Sequence, residues 1–245
     1  MSVDGNIVSG SSWIMAGFVT QAVTGLAFWV IAARTYGTDE VGTAAALFAS
    51  VQFINYAMNL GLQEMLSRHH LVDRRTHGAL WAIAVSAAVV ASMVGGALYL
   101  FLVDPTGIDE LEEFGFATIV FGLLCAGNAL ALLVDVACTV ARRWRIVTLR
   151  MAATGLIRLP LALLPAPNPV AVRLLLANAG PIALSGLIGA VLVPGLSSTS
   201  FGPRFDATLW PAVRYAAVNY FSQLAHLAPQ FLLPVICLLY TSRCV

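Results

Sequence analysis

The chain has 245 residues, of which 59% are hydrophobic and only 10% charged, against about 25% charge in an ordinary soluble domain. Thirteen basic residues, every one an arginine, nearly cancel twelve acidic ones. The apolar content excludes a disordered chain, and the near-neutral, dispersed charge a basic nucleic-acid-binding surface.

The placement of the charges excludes a soluble fold as well. The uncharged stretches 5–33, 41–63, 76–103, 114–134, 174–203 and 215–242 each exceed the roughly 18–20 residues that mark a candidate membrane span. In chain order they predict helices over 12–34, 42–65, 78–102, 114–136, 170–194 and 215–240. A further helix over 145–164 is interrupted by Arg150 and Arg158. The first run is too long for a cleavable signal peptide and has no basic segment before it, so it is expected to be retained as a span. Absence of two-residue alternation argues against a β-barrel.

Charge asymmetry threads these helices through the membrane. Arg68, Arg74 and Arg75 follow the second helix, Arg142, Arg143 and Arg145 follow the fourth, and Arg204 and Arg214 follow the sixth. The connection after the third is acidic, with Asp104, Asp109, Glu110, Glu112 and Glu113. Basic connections belong on the cytoplasmic side. The alternation holds with the 145–164 helix included and the N-terminus cytoplasmic. Pro165, Pro167 and Pro169 suit a tight turn after that helix. The expected fold class is an all-α polytopic membrane helix bundle of about seven transmembrane helices.

Two spans carry polar stripes. Gln52, Asn55, Asn59 and Gln63 fall within an arc of about 80° on a helix, and Asn219, Gln223, His226 and Gln230 within about 60°. Polar groups facing lipid are costly. Each stripe therefore either bonds to neighbouring helices in a packed bundle or lines a hydrated cavity. Pro229 and Pro234 can kink the last helix. Thr20, Gln21 and Thr24 are weaker candidates, because threonine hydroxyls bond back to their own helix.

Arginines at depth are the other signal. Arg150 and Arg158 either snorkel to the headgroups or hold an anionic substrate, since guanidinium forks match phosphate oxygens. Arg34, at the end of the first helix, can pair with Asp39 and Glu40 or touch lipid phosphate. Asp135 is expected to form a salt bridge with the Arg142–Arg145 cluster at the helix end. Buried carboxylates are too few for a classical cation-antiport site or for acid–base catalysis. No metal-ligand spacing, phosphate loop or catalytic serine context is present, so neither enzymatic activity nor a metal or cofactor is expected. Four cysteines are expected to be buried free thiols. Dispersed glycines, including Gly61, Gly95, Gly96, Gly122, Gly186 and Gly189, predict close helix packing.

The segment Ala32-Ala33-Arg34-Thr35-Tyr36-Gly37, then Glu40-Val41-Gly42, and later Gly61-Leu62 with Arg68 resembles the start of bacterial polysaccharide flippases of the multidrug, oligosaccharidyl-lipid and polysaccharide exporter superfamily. The region from Asp135 to Arg158, and Ala216, Val218, Asn219 and Tyr220, are similar to that family in general character. The resemblance implies alternating-access transport of a polyprenyl-pyrophosphate-linked glycan across the bacterial cytoplasmic membrane. It also implies polysaccharide assembly proteins as candidate partners beside the membrane lipids, and Arg34, Arg150 and Arg158 as substrate-side residues. Such proteins have two six-helix lobes. By that measure residues 1–194 form a first lobe, 195–214 a cytoplasmic linker and 215–245 the first helix of a second lobe, as expected of a truncated member. A drug or small-solute exporter of the same superfamily, and a membrane scaffold or assembly subunit without transport, are the alternatives.

Overall fold

The computed structural model describes residues 3–59, 61–69, 74–102, 117–164, 170–196, 210–211, 214–222 and 225. Their regular structure is entirely helical: α1 (Val3–Thr35), α2 (Thr38–Ala57), α3 (Leu62–His69), α4 (Arg74–Leu102), α5 (Ala117–Val140), α6 (Trp144–Leu163) and α7 (Val170–Leu196). Residues 214–222 form a further helical stretch. Among the described residues five helices are long and apolar enough to cross a membrane, or six if α2 and α3 make one bent span. The chain is thus a multi-span membrane helix bundle. Most of the seventh expected helix, and the proline turn at 165–169, lie outside the described residues.

Apolar side chains cover the outside as well as the core. Val23 and Leu26 on α1, Val90 and Val94 on α4, and Val191 on α7 are all exposed. Such a surface suits hydrocarbon, where burial from water does not distinguish a helix interface from lipid and close packing holds helices together instead. Central α5 packs most extensively on α7 and α4, and also meets α2, α3 and α6. Glycine permits the tightest of these approaches. Gly127 of α5 lies against the backbone of Ala183 on α7, and Gly186 of α7 lies against the Gly127 carbonyl and Ala131. Gly96 of α4 sits 3.3 Å, measured from an ideal Cβ position, from the Gly122 Cα of α5. Asn128 reinforces the α5–α7 contact by donating from Nδ2 to the Ala179 carbonyl at 3.3 Å.

A methyl group at Gly186 would have to displace backbone, whereas one at Gly180 meets nothing within 4 Å. Gly186→Ala is therefore expected to destabilise the bundle by about 1–3 kcal/mol. Gly180→Ala should be neutral or stabilising by up to about 1 kcal/mol, because alanine favours helix. Unfolding in detergent followed by circular dichroism checks both, and equal effects would contradict the packing assignment.

Helix α1 leans chiefly on α6. The Trp144 indole of α6 lies over Gly10, and Met151 fills the space beside Gly17. Thr148 Oγ1 donates to the Trp13 carbonyl at 2.6 Å, and the Arg145 guanidinium stands 5.4 Å from the Trp13 ring centroid. At the far end, Tyr36 Oη lies 3.1 Å from the Ala162 carbonyl and 3.0 Å from that of Leu164, covering carbonyls that the end of α6 leaves without helical partners.

Two connections explain their own geometry. The α5–α6 turn closes with Arg143 N–H donating to the Cys138 carbonyl at 2.8 Å and Arg142 in the left-handed region at φ 57°, the pattern of a helix C-terminal cap. The span expected over 42–65 is instead broken. α2 ends at Ala57, α3 begins at Leu62, and their axes bend by 49°. Gly61 adopts φ 69°, a conformation that a side chain disfavours, and its α-carbon abuts the backbone of Ala216. No Cβ fits there, so the break and the 214–222 helix hold each other.

Candidate functional site

Among the described residues, three polar clusters stand out inside this apolar bundle. The first surrounds Arg158, five residues before the end of α6 and thus about 7 Å inside it. Its side chain is only 4% exposed. Nη2 donates to the Gln21 carbonyl at 2.5 Å and to Thr24 Oγ1 at 2.8 Å, both on α1. Nη1 donates to Asn178 Oδ1 of α7 at 3.2 Å. Gly25 and Gly155 bring α1 and α6 close enough for this, with Arg158 beside Gly25 and Thr24 against Gly155. These hydrogen-bond partners are all neutral. Arg158 Nε and Asn178 Nδ2 are buried without a partner, so the cluster carries net positive charge and two unused donors.

The second cluster lies about 12 Å along α6 at Arg150. Arg150 Nε donates to Asp135 Oδ1 of α5 at 2.8 Å, Nη2 pairs with Asp135 Oδ2, and Nη1 donates to Ser185 Oγ of α7 at 2.9 Å. The arginine and aspartate side chains are 13% and 15% exposed. Asp135 therefore does not pair with the Arg142–Arg145 cluster as expected. In a helical hairpin, residues equally far from the turn come together, and 135 and 150 flank the 141–143 turn symmetrically. Neither Arg150 nor Arg158 snorkels to a headgroup: each spends its guanidinium on neighbouring helices.

The third cluster is the α2–α3 break. Asn55 and Asn59 are 1% and 7% exposed, and Gln52 and Gln63 half-buried. Asn55 Nδ2 donates to Gln52 Oε1 at 3.2 Å, while Asn55 Oδ1 is buried without a partner. Beside the break, Arg68 lies 4.4 Å from the Tyr215 ring centroid. Asn219 is half-buried and folds its amide back onto the Tyr215 carbonyl at 2.8 Å. Asn219 thus stands on a helix that adjoins the α2–α3 break, joined to it at Gly61 and Ala216. Gln223, His226 and Gln230 lie outside the described residues.

Arg34 is exposed at the end of α1, nine residues and about 13 Å beyond Gly25, and is not part of the Arg158 cluster. Thr20 and Thr24 do bond back along their helix, to the Ala16 and Thr20 carbonyls at 2.8 and 2.7 Å. Thr24 does more, because its oxygen also accepts from Arg158. Asn178 and Ser185 were not legible as site residues. Each is a lone polar residue in an apolar run, and only the arginines facing them mark them out. Among the described residues no group of three or more His, Cys, Asp and Glu could hold a metal ion. No protein family, curated protein or solved structure matches the chain.

Proposed function

We propose that this bundle belongs to a transporter that moves a lipid-linked, anionic glycan precursor across the bacterial cytoplasmic membrane by alternating access. Arg158 carries the proposal. A guanidinium enclosed among spans, with neutral partners and unused donors beside it, is expensive to keep in a membrane interior and marks a functional pathway. Its charge suits an anion such as the pyrophosphate of a polyprenyl-linked sugar. The bent α2–α3 span adds support, since broken helices in transporters line the substrate path. The orientation with the N-terminus cytoplasmic, and the place of this bundle as the first of two lobes, are parts of the same proposal.

The chemistry needs no covalent step. Substrate enters with the cavity open to the cytoplasm, the arginine-bearing interface engages its phosphates, and rocking of the helices exposes it outside. Complementation tests this. Expression of the full-length gene in a bacterium lacking its glycan-lipid flippase is expected to restore surface polysaccharide. Correct membrane insertion with no restoration would count against glycan-lipid transport.

A further inference from the structure

We infer that the α2–α3 break is a binding site for a monovalent cation of the sodium class, built from neutral oxygens. Its central ligand is Asn55 Oδ1. That atom is buried, has no hydrogen-bond partner, and belongs to a side chain only 1% exposed. The other end of the same amide is committed to Gln52, one turn back toward the helix start. This leaves the oxygen as the group without a bond. An orphaned buried acceptor is costly, and a small cation satisfies it without needing a donor hydrogen.

The surroundings point the same way. Asn55 is in the last turn of α2, where the helix stops and backbone carbonyls lose their in-helix partners. That end carries the negative pole of the helix dipole, and no basic residue occupies the last turn of α2 to offset it. Asn59, one turn beyond Asn55 and also buried, places a further amide oxygen at the break. Unwound backbone and half-helix C-terminal ends are the usual sodium ligands in broken membrane helices. A count of buried acids argues against a cation site in this chain, but such a count does not register backbone and amide oxygens. The site is independent of what solute the bundle carries.

Thermal unfolding of the full-length protein in detergent tests the inference, with sodium chloride compared against choline chloride at equal ionic strength. Sodium is expected to raise the midpoint by about 3 °C where its concentration is about ten times the dissociation constant. Asn55→Leu removes the orphaned oxygen at similar volume. It should leave the sodium-free protein about as stable as wild type, since removal of the orphaned oxygen offsets loss of the Gln52 bond, and abolish the sodium shift. Asn55→Asp should lower the half-saturating sodium concentration. Equal stabilisation by choline, or an undiminished sodium shift in Asn55→Leu, overturns the assignment. If Asn55→Leu does not fold, dialysis of wild type against radiolabelled sodium decides. Stoichiometric binding supports the site and its absence removes it. None of these readings depends on glycan transport, so either proposal can fail alone.

Discussion

On the proposed function, Arg158→Leu is expected to leave a folded bundle with sharply reduced transport. Two effects on stability oppose each other. Loss of the guanidinium orphans the Asn178 amide oxygen, at about 1–3 kcal/mol. Against this, the substitution removes a buried charge whose partners are all neutral, and such a charge is itself costly to keep in an apolar interior. The Gln21 carbonyl and Thr24 hydroxyl keep other partners within α1, since Thr24 Oγ1 already donates to Thr20 and Gln21 carbonyls. The thermal midpoint should therefore stay near wild type. Transport should fall by about tenfold or more, the worth of one charge-assisted contact to an anion. Arg158→Lys retains the charge without the planar fork and should be intermediate. The paired readouts are complementation and thermal unfolding. Wild-type polysaccharide from a stably inserted Arg158→Leu protein would remove Arg158 from the mechanism, and collapse of the fold would make its role structural.

The largest effect on stability is expected at the other arginine. Asp135→Leu leaves Arg150 enclosed with Ser185 alone, and breaking a buried pair from one side costs about 3–5 kcal/mol. Joint replacement, Asp135→Leu with Arg150→Leu, removes both charges and should recover most of that loss. A double-mutant cycle by chemical unfolding in detergent isolates the coupling. Additive single effects would mean that the pair contributes nothing beyond its separate residues. Ser185→Ala should cost only about 1 kcal/mol, the worth of one hydrogen bond.

Sequence describes these two arginines only in part. Their depth was visible from the apolar runs around them, as were the spans that became α4, α5 and α7. Their partners were not. Charge counting paired Asp135 with the nearest arginines along the chain, whereas the α5–α6 hairpin matches positions across the turn. Asn178 had no periodic neighbour to single it out. The spacing from Gln52 to Gln63 is helical throughout and predicts one unbroken helical face. At the break inside it Gly61 meets Ala216, a contact between residues more than 150 positions apart that local pattern does not encode. Glycine packing fared better. Gly96 with Gly122, and Gly186 with Gly127, meet as small residues in membrane helices do.

The attachment of α1 divides the molecule mechanically. Helices α4, α5 and α7 are fastened face to face by glycine, with little room for one to slide on another. α1 has no such bond to them: it is riveted to α6 at Thr148 and Arg158, with Trp144 seated over Gly10. α6 meets the block through Arg150 and Arg158 and through apolar packing, with Val147 and Met151 in the core shared with α5 and Ala162 in the core shared with α7. Glycine faces join α5 to α4 and α7, while threonine, arginine and tryptophan contacts join α1 to α6, so substitutions in the two sets strain different interfaces.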